Sequence, residues 1–115
     1  MRLRPSRAWM FLLVVLSTMP AGVAQAATLA ELAGWCAPEG GSEQLCRAYL
    51  GVILEGLGST DPVMNGGNRM CVPPEADRAQ IIRLVRAYAG QSGAANDISA
   101  LDGVGAALKG RYPCP

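Results

Sequence analysis

Cys36, Cys46, Cys71 and Cys114 carry the richest chemistry in this chain, and their successive spacings of 10, 25 and 43 residues decide what that chemistry is. A thiolate zinc site presents its ligands as close Cys-x2-Cys pairs. A thioredoxin-like or haem-attachment site needs Cys-x-x-Cys, and neither pattern occurs. The chain contains no histidine, which removes Ser-His-Asp and Cys-His nucleophile pairs and leaves only an all-cysteine option for zinc. Two disulfides are the reading that fits. They consume every thiol, so no cysteine is left as a nucleophile. Paired carboxylates are the other route to catalysis, but the acidic residues are scattered, and Asp97 and Asp102 read as a helix cap and a solvated residue. No catalytic residue, cofactor or metal site is expected, and the chain does not read as an enzyme.

Disulfides require an oxidising compartment, and the first 26 residues offer the route to one. Arg2, Arg4 and Arg7 precede an apolar run over 8–16, then Pro20 and the small-residue triplet Ala24-Gln25-Ala26. This is the form of a cleavable signal peptide. The apolar run is shorter than the roughly 20 residues a bilayer requires, and no cysteine stands at the expected cut for lipid attachment. Cleavage after Ala26 leaves one small domain over residues 27–115, with no membrane contact. The signal alone does not separate a bacterial periplasm from a eukaryotic secretory route.

Charge excludes further classes of function. Setting aside the three arginines of residues 1–26 leaves seven Lys and Arg against nine Asp and Glu, a balance of −2. Nucleic-acid binding asks for a basic patch, with pI above about 9, and membrane-surface binding asks for a helix with lysines along one face. Neither is present in the sequence. A core built from 89 residues buries about 60–65% of its chain surface and is marginal. Two disulfides at about 2–4 kcal/mol each are then a large share of its net stability.

Four helices are expected to position the cysteines. Thr28-Leu29-Ala30-Glu31 has the form of a capping box, and the helix it starts ends near Cys36, with Leu29, Leu32, Ala33 and Trp35 as its apolar stripe. After a turn over 37–41, Ser42 caps a second helix, on which Leu45, Tyr49, Val52, Ile53 and Leu57 recur at helical spacing. Gly51 and Gly56 weaken that helix by about 1 kcal/mol each relative to alanine, unless close packing requires them. A third helix follows Asp77, with Gln80 completing a second capping box and Ile81, Ile82, Leu84, Val85, Tyr88 and Ala89 facing inward. Arg78, Arg83 and Arg86 then form a solvated face, and Gly90 is placed as a C-terminal αL cap. A flexible connection over 90–96 leads to a fourth helix from about Asp97, with Ile98, Leu101, Val104 and Leu108 on one face and Gly103, Gly105 and Gly110 making it dependent on packing. The expected fold is all-α, a small four-helix domain with two disulfides.

Between the second and third helices lies the longest turn-rich segment, residues 58–70, which has no clear period. Unstructured loops of this length are uncommon in compact domains and tend to be either functional or disordered. Four cysteines allow three pairings, which sequence alone does not resolve. Antiparallel helices joined by short connections favour Cys36 with Cys46 and Cys71 with Cys114. A central loop folding back would overturn that pairing.

Four segments together resemble the Rap/Tai family. They are Leu-Cys-Arg-Ala-Tyr-Leu-Gly-Val-Ile at 45–53, Met-Cys-Val-Pro at 70–73, Ile-Ile-Arg-Leu-Val-Arg-Ala-Tyr at 81–88 and Ala-Leu-Lys-Gly-Arg-Tyr-Pro-Cys at 107–114. Cys46, Tyr49, Gly51, Cys71, Pro73, Tyr112, Pro113 and Cys114 match the family's structural signature rather than an inhibitory site. The connection after the third helix departs from the family in lacking a proline. The resemblance implies an all-α, disulfide-bonded periplasmic immunity protein of type VI secretion, often a homodimer, that binds and blocks a peptidoglycan amidase. On that reading the 58–70 loop enters the target through Asp61, Val63, Met64, Asn65, Asn68 and Arg69. The alternative is a periplasmic structural or accessory protein of the same fold with no toxin target.

Overall fold

The computed structural model describes residues 27–115, so the signal peptide and its cleavage site lie outside the described residues. Five helices follow in order: α1 Leu29–Trp35, α2 Glu43–Gly58, α3 Pro62–Asn65, α4 Arg78–Gln91 and α5 Ala100–Ala107. Among the described residues there is no strand, only an isolated antiparallel bridge between Thr28 and Ser99. Four of the helices are those expected from the sequence. The count of four is corrected by α3, a single turn inside the 58–70 segment.

Local chemistry starts each long helix where the side chains require it. In α1, Thr28 Oγ1 accepts from Glu31 N at 3.1 Å while Glu31 Oε1 accepts from Thr28 N at 3.0 Å, a complete capping box. The other amides of that first turn are satisfied from across the fold: Leu29 N donates to Ile98 O and Ala30 N to Ala95 O, both at 3.0 Å. The connection before α5 is therefore tied to the start of α1, and Ala100 N donates to Ala27 O at 2.8 Å on the same seam. It is not the flexible linker that its glycine and small polar residues imply. Ser42 caps α2 through Leu45 N, as expected. Asp77 caps α4 through Ala79 N at 3.0 Å, and no reciprocal bond from Gln80 accompanies it.

Three expectations shift. Gly90 is not a cap: α4 runs through it to Gln91, and Ser92 N closes the last turn on Tyr88 O at 2.9 Å. The last helix begins after Ser99, whose Oγ accepts from Asp102 N at 3.1 Å, so Asp97 lies before it. The third shift is the face of α2. Its buried residues are Cys46, Leu50, Ile53, Leu54, Gly56 and Leu57, whereas Leu45 and Val52 are 41% and 55% exposed. Apolar residues cover more than half the circumference of α2, and the neighbouring helices, not periodicity, decide which arc is sealed.

Leu29 and Leu32 of α1, Leu50, Ile53 and Leu57 of α2, Ile81 and Val85 of α4, and Val104 and Leu108 at the end of the chain form a core closed to solvent. α1 lies at its centre, packed on α2, α4 and α5. The rings of Trp35 and Tyr49 meet at 4.6 Å on the flank of α1 and α2. Cys36 pairs with Cys46 and Cys71 with Cys114, and no free cysteine remains. The hairpin argument therefore gives the observed connectivity. The first bridge joins the end of α1 to the start of α2, and the second ties the exit of the 58–70 segment to the C-terminus, where Cys71 N also donates to Tyr112 O at 2.8 Å.

Candidate functional site

The 58–70 segment is ordered from its own side chains. Asp61 caps α3, its Oδ1 accepting from Val63 N at 2.9 Å, and Pro62 stands at the first helical position. Gly66 ends the turn in the left-handed region with φ of 62°, followed by Gly67 at 83°. Asn65 sits beneath this turn, 4% exposed. Its Nδ2 donates to Ser59 O and its Oδ1 accepts from Gly67 N, both at 2.8 Å, so one buried amide clamps the entry of the loop to its far side.

Two further contacts seat the loop on the helices. Asn68 Nδ2 donates to Asp102 Oδ1 on α5 at 3.3 Å. The Asn68 side chain lies so close to Gly105 that a Cβ there would meet it at 2.8 Å. Gly56 plays the same part on α2: a Cβ at that position would come within 3.0 Å of Met64 O. The close contact expected of the α2 glycines thus exists at Gly56, whereas Gly51 has open space around its Cα. At the loop's exit, Met70 is buried and its N donates to Leu57 O at 2.9 Å.

This frame turns polar atoms inward and apolar side chains outward. Val63 is 74% exposed and Met64 50%. Asp61 and Arg69 are exposed beside them, Asn68 is partly buried, and Asn65 belongs to the frame of the loop rather than its outer surface. Five of the six residues expected in the loop's contact surface therefore have solvent access, while the sixth holds the turn together. Apolar surface displayed on a fixed loop of a braced scaffold suits recognition of another protein.

Sequence reasoning missed α3, although Asp61-Pro62 at its start and Gly66 just past its end are the start and stop signs of a helical turn. It also placed Leu45 and Val52 on the apolar period of α2 without marking them as exposed. Seven residues apart on α2, they share a face with Gly56, over which Met64 O lies, so their exposed stripe leads toward the loop. Nothing in the sequence marks Asp102 and Gly105 as seats for Asn68, because that contact joins residues 34 apart.

Substituting Asn65 tests the frame. Asn65→Ala leaves Ser59 O and Gly67 N without their partner and is expected to lower stability by about 2 kcal/mol. Asn65→Asp keeps the acceptor for Gly67 N but loses the donor to Ser59 O and buries a carboxylate, so it should be no better tolerated. Equilibrium urea unfolding measures both; a change under about 0.5 kcal/mol would show the clamp to be dispensable.

No curated protein and no solved structure matches the chain. The family model described as Rap1a immunity proteins does match it, over residues 25–114, which takes in all five helices and both disulfides. The chain belongs to this family of immunity proteins, a membership that implies binding of a cognate secreted effector.

Proposed function

We propose that this protein is a periplasmic inhibitor of a peptidoglycan amidase delivered by type VI secretion, and that it acts by seating the α3 loop in the enzyme's cleft. The observation that carries the reading is the loop's construction, in which a buried Asn65 and two helix seats hold Val63 and Met64 out from a disulfide-braced scaffold. A loop held in one conformation loses little entropy on binding, so more of its contact energy is kept as affinity. Val63 and Met64 serve as apolar anchors, with Asp61, Asn68 and Arg69 as the polar rim. Two disulfides suit an oxidising compartment, and residues 1–26 act as the cleaved signal that leads there. The protein also pairs with a second copy on this reading, for which the exposed Leu45 and Val52 of α2 offer apolar surface.

Affinity capture from secreted and periplasmic fractions, with oxidised protein as bait, tests this. Mass spectrometry should identify one cell-wall amidase in stoichiometric amounts, and the mass of the periplasmic bait should place its first residue at Ala27. Met64→Asp should weaken capture at least about thirtyfold, as expected for removal of a central anchor. Its thermal unfolding should stay close to that of the wild type, because the side chain is half exposed. Recovery of the bait alone would remove the main support for an amidase target.

A further inference from the structure

A cleft of about 440 Å³ opens at the other end of α2, between the α1–α2 turn and the start of α4. α2 has 16 residues, about 24 Å at 1.5 Å per residue, so the cleft is well separated from the α3 loop. Trp35, Pro38, Ile82 and the Cys36–Cys46 bridge give it apolar walls, and Glu43, Arg47 and Arg78 bring one negative and two positive charges to it. The two arginines are not equivalent. Arg47 is matched by Glu43 at 2.8 Å, whereas Arg78 makes no ion pair among the described residues. The neighbouring Asp77 carboxylate is engaged in capping α4 through Ala79 N.

The cleft is also fixed in shape. The disulfide holds one wall, and Ser42 N donates to Trp35 O at 2.9 Å to close the turn over it. Gly41 is packed so tightly that a Cβ there would meet Ala37 O and, at 2.6 Å, Trp35 O. A cleft with apolar walls and one guanidinium outside any ion pair among the described residues suits a ligand that places a carboxylate beside an apolar group. Its volume suits two or three small residues, room for a terminal carboxylate and the last side chain. We propose that this cleft binds the free carboxyl end of a short peptide whose last side chain is apolar, with the carboxylate on Arg78 and the side chain against Trp35 and Ile82. This site is independent of the α3 loop and does not rest on the identity of the effector.

Titration of the oxidised, 15N-labelled protein with N-acetyl-Ala-Leu, with its C-terminal amide, and with N-acetyl-Leu-Asp-amide tests the proposal. The free acid should shift the Trp35 indole and the amides of residues 35–47 and 78–82 in a saturable manner. Loss of the charge-assisted pair should make the amide bind about tenfold more weakly. Arg78→Gln should reduce affinity for the acid to that of the amide, while Arg83→Gln, outside the cleft on the same helix, should leave it unchanged. Equal affinity for acid and amide, shifts outside the cleft, or no saturable shift would overturn the proposal. Binding of the internal aspartate peptide as tightly as the free acid would overturn the chain-end assignment.

Discussion

Replacing Cys71 and Cys114 together by alanine is expected to lower the stability of the protein by about 4 kcal/mol. The bridge spans 43 residues, nearly half of the described chain, and its main effect is to restrict the unfolded state. The Cys36–Cys46 bridge spans only 10 residues, and the same loop-closure relation gives about 3 kcal/mol for it. A small domain with a total stability of about 5–15 kcal/mol feels either loss strongly. The longer bridge also secures the exit of the α3 loop beside the Cys71 N to Tyr112 O bond, so its removal should loosen that loop as well. Equilibrium urea unfolding of the two double variants against oxidised wild type checks the order. A larger loss from the shorter bridge would show that the chain-entropy account does not govern here.

Gly103→Val should cost about 3 kcal/mol, because the α1–α5 contact leaves no space for even one added carbon. An ideal Cβ at Gly103 would lie 2.6 Å from Leu29 Cδ1 and 2.8 Å from Leu29 Cβ. Leu29 is fully buried, so it has nowhere to retreat without moving α1. Gly51→Ala supplies the contrast: nothing lies within 4 Å of its added Cβ, and the substitution should stabilise α2 by about 0.5–1 kcal/mol. Urea midpoints measure both, and a Gly103→Val protein as stable as the wild type would contradict the close α1–α5 packing. The glycines of α5 therefore permit packing at the cost of intrinsic helicity, the dependence on tertiary contact that the sequence of this helix implies.

Features governed by a few neighbouring residues were legible in the sequence. Thr28 and Glu31 form their box, Ser42 and Asp77 cap their helices, and the bridges follow from the ends of two antiparallel helix pairs. Features decided by distant contacts were not. Leu45 and Val52 fit the period of α2 as well as Leu50 and Leu54 do, and only the placement of α1 and α5 settles which of them are covered. Gly90 has the right type for a cap, yet the helical bonds around it persist to Ser92. The connection before α5 looks mobile by composition because its hydrogen-bond partners, the first amides of α1, lie some seventy residues earlier in the chain. In the loop, Asp61 and Gly66 carry the signs of a turn that sequence reasoning passed over, and the inward placement of Asn65 depends on the path of the whole segment from Ser59 to Gly67.

On the reading proposed above, this immunity protein silences an amidase through the α3 loop, and titrating the amidase with oxidised protein during hydrolysis of purified peptidoglycan tests that most directly. The expected result is a linear fall in activity to near zero at about one equivalent of wild type, with little inhibition by Met64→Asp at the same concentration. Undiminished hydrolysis in the presence of excess oxidised wild type would contradict the amidase target, and equal inhibition by Met64→Asp would contradict the loop as the means.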